Sequence, residues 1–215
     1  MMDRLSRVMT AAAALLLLAP FAFPLWRIDL LAPQYPEGIG MLIRIDDVQG
    51  INPQDLQNIN SLNHYIGMKE IHAASIPELR WMPWIVGALA VSGLVVAAWG
   101  RRRALVAWLG TFLLLGLAGL ADFWRWAWDY GHDLAPDAII RIPGMSYTPP
   151  IIGTKQLLNF TATSWPAAGG FAAGVAFALG ALALWLAYRR PTHTTPARAT
   201  PDAMPARPPA ALAGT

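Results

Sequence analysis

Four long apolar runs divide the chain, and their spacing organises the rest of it. Residues 8–26 (VMTAAAALLLLAPFAFPLW), 81–100, 104–124 and 166–188 each match the roughly 20 mostly apolar residues that cross a hydrocarbon core. Each predicts a membrane-spanning helix. Two long polar stretches, 27–80 and 125–165, separate the first run from the second and the third from the fourth. Only Arg101-Arg102-Arg103 lies between the second and the third. The predicted order is an N-terminal span (1–26), a first loop (27–80), a helical hairpin (81–124), a second loop (125–165) and a fourth span (166–190). The 191–215 tail is rich in Pro, Ala and Thr, which cannot build a core, and is expected to be disordered.

The first run, preceded by Arg4 and Arg7, also fits a secretory signal peptide. Pro20, Phe21, Phe23 and Pro24 stand where small cleavage-site residues belong, so an uncleaved helix is the expectation.

Inside the first loop, Met41-Leu42-Ile43-Arg44-Ile45 reads as a short strand ended by Asp46-Asp47. Asn52-Pro53 reads as a helix start, with a helix of about 15 to 20 residues carrying on to near His72. The second loop echoes the first. Trp26-Arg27, Leu31-Ala32-Pro33 and Ile43-Arg44-Ile45 recur as Trp124-Arg125, Leu134-Ala135-Pro136 and Ile140-Arg141-Ile142. A tandem duplication would let the two Ile-Arg-Ile runs pair, and chance likeness in a Leu/Ala/Ile-rich chain is the rival reading. The fold class expected is an all-α membrane protein of four transmembrane helices, carrying a small periplasmic α+β domain built from both outer loops.

Composition agrees. Hydrophobic residues make up 55% of the 215, charged residues only 13%, and mean hydropathy is +0.39. Soluble chains carry about 25% charge, so a soluble enzyme with a polar surface is excluded. With no cysteine, disulfide scaffolds and thiolate metal or redox sites are excluded as well. The net charge of +3 hides an asymmetry. The N-terminus, the arginine turn and the tail hold nine basic residues and two acids, net +7. The two loops, with Asp122 at their edge, hold seven basic residues and eleven acids, net −4. The positive-inside rule then puts both termini in the cytoplasm and both loops in the periplasm of a bacterial inner membrane. The basic pI is a topology signal, and nucleic acid is not an expected partner.

Trp26, Trp81, Trp84, Trp124, Trp126, Trp128 and Trp165 cluster where spans meet the outer loops, as interfacial anchors do. No Lys, Arg or His lies at mid-span, which argues against a proton-coupled pump and against paired haem ligands. Gly116, Gly119 and the Gly170–Gly174 pair suit close helix packing, with a homodimer face as the alternative.

Candidate chemistry lies in the loops. In His64-Tyr65-Ile66-Gly67-Met68-Lys69-Glu70-Ile71-His72, a continuous helix would set imidazole, thioether and imidazole on one face. That donor set suits copper, above all the cuprous ion. Core filling by Met68 competes with this reading, and Gly67 weakens a helix there. Asp129-Tyr130-Gly131-His132-Asp133 and Gly144-Met145-Ser146-Tyr147 add a second imidazole and thioether. No G-x-S-x-G or H-E-x-x-H context occurs, so an enzyme is not expected.

Ala32-Pro33-Gln34-Tyr35-Pro36-Glu37-Gly38, Leu62-Asn63-His64-Tyr65-Ile66-Gly67-Met68, Tyr130-Gly131-His132 and the run from Pro143-Gly144-Met145-Ser146-Tyr147 to Asn159-Phe160 carry a resemblance. They resemble a family of small four-span bacterial membrane proteins associated with nitrous-oxide reductase and its copper-site maturation. The likeness covers most of residues 25–165 and the flanking spans. It implies a role beside a periplasmic copper enzyme or its maturation factors. His64, Met68, His132 and Met145 fall in matching blocks and are the expected copper ligands, with Asp129 orienting an imidazole. His72 falls just outside a block. A metal-free scaffold recruiting a redox or transporter partner is the alternative.

Overall fold

The computed structural model describes residues 1–189 apart from Arg141, Pro143 and Leu158. The expected disordered tail lies outside the described residues. Among the described residues, four helical segments are long and apolar enough to cross a membrane: Arg4–Ala22, Pro77–Trp99, Arg102–His132 and Ala168–Arg189. The first comprises α1 (Arg4–Leu16) and α2 (Ala19–Ala22), the next three are α4, α5 and α6, and α3 (Asp55–Ile66) lies in the first loop. Helix α1 packs against α4 and α6, and α5 packs against the same two, so all neighbours in the ring run antiparallel.

The bundle core joins Ala13 and Ala14 of α1, Leu17 at its C-terminal cap, Leu89 and Val96 of α4, and Trp108 of α5 to the alanine stripe Ala176, Ala183 and Ala187 of α6. Trp108 fills the centre, donating its indole N–H to the Leu89 carbonyl at 2.9 Å. Gly93 makes room for it: a Cβ there would stand 2.7 Å from the Trp108 ring and 2.8 Å from Ala14 Cβ. At the arginine-rich end, Arg7 donates to the carbonyls of Ala97 and Ala98 at 2.8 and 2.7 Å. It thereby satisfies acceptors that the C-terminus of α4 leaves open. Arg101, Arg102 and Arg189 lie over the rings of Trp99, Tyr188 and Trp185.

An all-α description fails at the opposite end. The chain forms a five-stranded antiparallel sheet from β1 (Trp26–Ala32), β2 (Tyr35–Ile43), β3 (Val48–Gly50), β4 (Gly153–Leu157) and β5 (Phe160–Pro166), in the order β3-β2-β1-β5-β4. Both loops contribute, as expected, but through other strands. β1 pairs with β5 from Trp26↔Pro166 to Leu31↔Thr161. Ile140 and Ile142 lie in no strand, and the Ile140 N–H instead donates to the Tyr65 carbonyl at 2.9 Å. The two Ile-Arg-Ile runs therefore do not pair, and Arg141 is outside the described residues. Burial alternates along β5, with Ala162 and Ser164 fully buried, Thr161 and Thr163 half-buried and Trp165 exposed, the period-2 pattern of a strand with one covered face. Buried Ser164 accepts from the Trp26 indole at 2.8 Å and donates to the Ile151 carbonyl at 2.9 Å, which ties β1, β5 and the second loop together.

Helix α5 departs most from expectation. Its 31 residues span about 46 Å at 1.5 Å per residue, well beyond a hydrocarbon core of about 30 Å. From Leu113 to Ala121 every residue is exposed, and nothing lies within 4 Å of a Cβ placed on Gly116 or Gly119. These glycines do not serve the close packing expected of them. Gly170 does, against the Leu25 carbonyl, whereas Gly174 meets nothing. The helix regains partners where Phe123 meets Trp26 edge to face at 5.4 Å and Arg125 bridges Glu78 and Asp122 at 2.9 and 2.8 Å.

Candidate functional site

The chemistry-bearing residues gather where α3, the C-terminal end of α5 and the segment that follows it meet. Asp55 anchors the start of α3. It is buried, and its Oδ2 accepts from the N–H groups of Gly40 and Asn52 and from the Asn52 side chain, all at 3.1 Å. Helix α3 then runs only to Ile66. Gly67 takes φ 79°, and the Met68 N–H returns to the Asn63 carbonyl at 2.9 Å, a left-handed helix stop. The helix expected to reach His72 ends six residues short.

Packing against the second loop accompanies the stop. A Cβ at Gly67 would stand 2.7 Å from Ala138 Cβ, and the Gly67 carbonyl accepts from the Ala135 N–H at 2.8 Å. Beyond the stop, residues 68–72 fold back along α3. Asn60 exchanges two hydrogen bonds with the Ile71 backbone, at 2.7 and 3.1 Å, and Asn63 donates to the Lys69 carbonyl at 3.2 Å. Imidazole, thioether and imidazole therefore do not share a helical face.

Each expected ligand has its own surroundings. His64 and His72, both exposed, border one open hollow of about 640 Å³ with Gln57, Asn60 and Glu70, and His72 Nε2 lies 2.8 Å from Glu70 Oε2. Met68, the first residue of the fold-back, is half-buried. His132 ends α5, stacked on Trp128 at 3.6 Å between ring centres, with Nδ1 at 3.1 Å from the Trp128 carbonyl and 3.0 Å from Thr148 Oγ1. Met145 lines a second hollow, of about 490 Å³, walled by apolar residues. Of the four, His64 lines one hollow, Met145 the other, and Met68 and His132 neither. Among the described residues, no group of three or more His, Cys, Asp or Glu side chains is placed to hold a metal ion.

Asp129 serves a different partner from the imidazole expected. Lys69 reaches Asp133 at 2.7 Å and Asp129 at 3.5 Å, clamping the fold-back to α5. The Asp133 hydrogen bond outweighs the burial penalty and, with the charges of Asp129 and Asp133 adding to it, holds the Lys69 ammonium above the ordinary lysine range. Tyr147 is the residue that sequence reasoning passed over. It is 2% exposed, its N–H donates to the Gly131 carbonyl at 2.9 Å, and its hydroxyl has no hydrogen-bond partner among the described residues. Its signal in sequence was a tyrosine two residues after Met145, at the end of Gly144-Met145-Ser146-Tyr147.

No protein-family model matches this sequence, and no curated protein matches it either.

Proposed function

We propose that this chain is a membrane-anchored accessory protein of a periplasmic copper enzyme of the nitrous-oxide reductase type, acting as a docking platform rather than as an enzyme. In this reading the bilayer is that of the bacterial inner membrane, both termini are cytoplasmic, and the sheet faces the periplasm. One observation carries the docking role. The two loops are woven into one sheet through β1 and β5, and the backbone N–H groups of Ala135, Ile140 and Tyr147 donate to Gly67, Tyr65 and Gly131, which ties the second loop to α3 and α5 and favours one shape for the exposed surface. A platform that recognises a folded partner needs little rearrangement when its backbone is already fixed. The resemblance of the His64 and Tyr147 blocks supplies the copper-enzyme context.

The test is photo-crosslinking in native membranes from exposed Gln49 and Gln57, with lipid-facing Leu114 as the control position. Capture of the copper enzyme or one of its maturation factors from the two glutamine positions alone is the expected result. Equal capture from Leu114, or none, overturns the docking role.

Copper handling is the second reading, favoured by the hollow that brings His64 and His72 to one rim with Glu70. It requires side chains to converge around the ion, with Met68, His132 and Met145 recruited from their separate surroundings. Titration of the purified protein with cuprous ion tests it. Binding weakened by the His64→Ala, Met68→Ala double substitution supports it, and equal binding by both proteins rejects it.

A further inference from the structure

The end of the bundle away from the sheet carries a concentrated positive charge. Arg4 and Arg7 open α1, Arg101, Arg102 and Arg103 join α4 to α5, and Arg189 closes α6. The structure brings these segments to one level. The Met2 N–H donates to the Gly100 carbonyl at 2.7 Å, and Arg102 reaches from α5 to lie over the Tyr188 ring of α6 at 5.5 Å. Among the described residues Asp3 is the one carboxylate at this end, and its Oδ1 accepts the Ser6 N–H as the cap of α1. Residues 190–215 add Arg190, Arg198 and Arg207 against Asp202 alone, so wherever they lie the excess remains positive.

The arginines here do different things. Arg7 is turned onto the carbonyls of Ala97 and Ala98 and holds α1 to the end of α4. Arg101, Arg103 and Arg189 are exposed. Arg101 lies over Trp99 at 4.4 Å and Arg189 over Trp185 at 4.1 Å. Those two rings and Tyr188 are themselves 49–60% exposed. Exposed Trp and Tyr at the ends of spans mark the headgroup level of a bilayer, which is where lipid phosphates lie. A guanidinium held over a ring at that level is placed to donate its fork of N–H groups to a phosphate. A choline headgroup brings its own cation beside the phosphate, whereas a glycerol headgroup leaves the phosphate charge unbalanced. We infer that the α4–α5–α6 side of this end is a docking surface for anionic phospholipid headgroups, with Arg101, Arg103 and Arg189 as the phosphate donors.

Native mass spectrometry of the full chain in detergent, titrated with phosphatidylglycerol or phosphatidylcholine of the same acyl chains at low ionic strength, tests this. Phosphatidylglycerol is expected to bind more tightly. Each basic residue near an anionic headgroup is worth about fivefold, so replacing Arg101, Arg103 and Arg189 together by Gln should weaken phosphatidylglycerol about a hundredfold, to the phosphatidylcholine level. The matching triple Lys variant keeps the charge and should stay within about fivefold of the native chain. Arg80→Gln is the comparison: Arg80 is exposed and lies over Trp81 at 5.9 Å, but at the opposite end, where acids outnumber bases, and its loss should change nothing. Equal affinity for the two lipids, or binding unchanged in the triple Gln variant, overturns the surface. An equal loss in Arg80→Gln overturns its location, and a loss in the triple Lys variant as large as in the Gln variant overturns charge as its basis. Displacement of phosphatidylglycerol by equimolar inorganic phosphate overturns the lipid as occupant.

Discussion

Replacing Gly67 by alanine is expected to loosen the contact between α3 and the segment after α5, and the cost separates into two parts. Gly67 has φ +79°, and an L residue in the left-handed region costs about 1–2 kcal/mol. The new Cβ would also stand 2.7 Å from Ala138 Cβ and 3.1 and 3.2 Å from the Ala135 backbone N and O, inside contact distance. Relieving such overpacking costs about 1–3 kcal/mol. Gly144 provides the comparison. Its φ is +76°, but nothing lies within 4 Å of its would-be Cβ, so Gly144→Ala carries the conformational part alone. Native-state amide exchange in nanodiscs reads both at the Ala135 and Ile140 N–H groups, which are bonded to Gly67 and Tyr65. At about 1.4 kcal/mol per tenfold, Gly67→Ala should speed their exchange by about 30-fold to 3,000-fold, and Gly144→Ala by about 5-fold to 30-fold. Equal acceleration in the two variants would refute the close approach of Ala138. No acceleration in Gly67→Ala would refute the left-handed stop itself.

Asp55→Ala removes the acceptor of three hydrogen bonds, two from backbone N–H groups, and should destabilise the sheet end by about 2–5 kcal/mol in denaturant unfolding. Asp55→Asn, whose amide oxygen still accepts, recovers part of the loss. In the bundle, Gly93→Leu drives a side chain into Trp108 and Ala14 and lowers the thermal midpoint in detergent, whereas Gly110→Leu, with nothing within 4 Å, leaves it unchanged. Because the pKa of Lys69 is raised, its clamp is fully present below the ordinary lysine value, about 10.4, and is lost only as pH rises through the higher folded value. Both partners are exposed, so the effect is under about 1 kcal/mol. Stability near neutral pH should be flat in this respect, and Lys69→Met should remove a small alkaline decline.

The spans were legible because twenty apolar residues in a row are a local signal that nothing distant can overrule. The sheet was not. β1 and β5 are about 130 residues apart, and although Trp26-Arg27-Ile28-Asp29-Leu30 alternates strictly, it abuts the first apolar run, Phe160-Thr161-Ala162-Thr163 alternates only briefly, and neither segment names its partner. The overshoot of α5 was readable in retrospect. Ala127, Tyr130 and Gly131 are buried at spacings of three and four, a helical face that continues past the polar residues where the span was drawn to a close. Gly67 was visible as a weak point of the helix, but the packing of Ala138 that makes it a stop was not. That contact also decides the site, since a helix continued through residue 72 would have aligned His64, Met68 and His72.

The sheet imposes an order on how the chain can be completed. β1 is flanked by β2, which follows within a few residues, and by β5, which directly precedes the last span. While synthesis proceeds through α3, α4 and α5, one edge of β1 carries unpaired N–H and C=O groups, the kind of edge that recruits stray strands. Only emergence of residues 160–166 closes it. A chain cut short anywhere before that point keeps its anchors in the bilayer and an open template above it, so the final strand and span act together as the completion step of biogenesis.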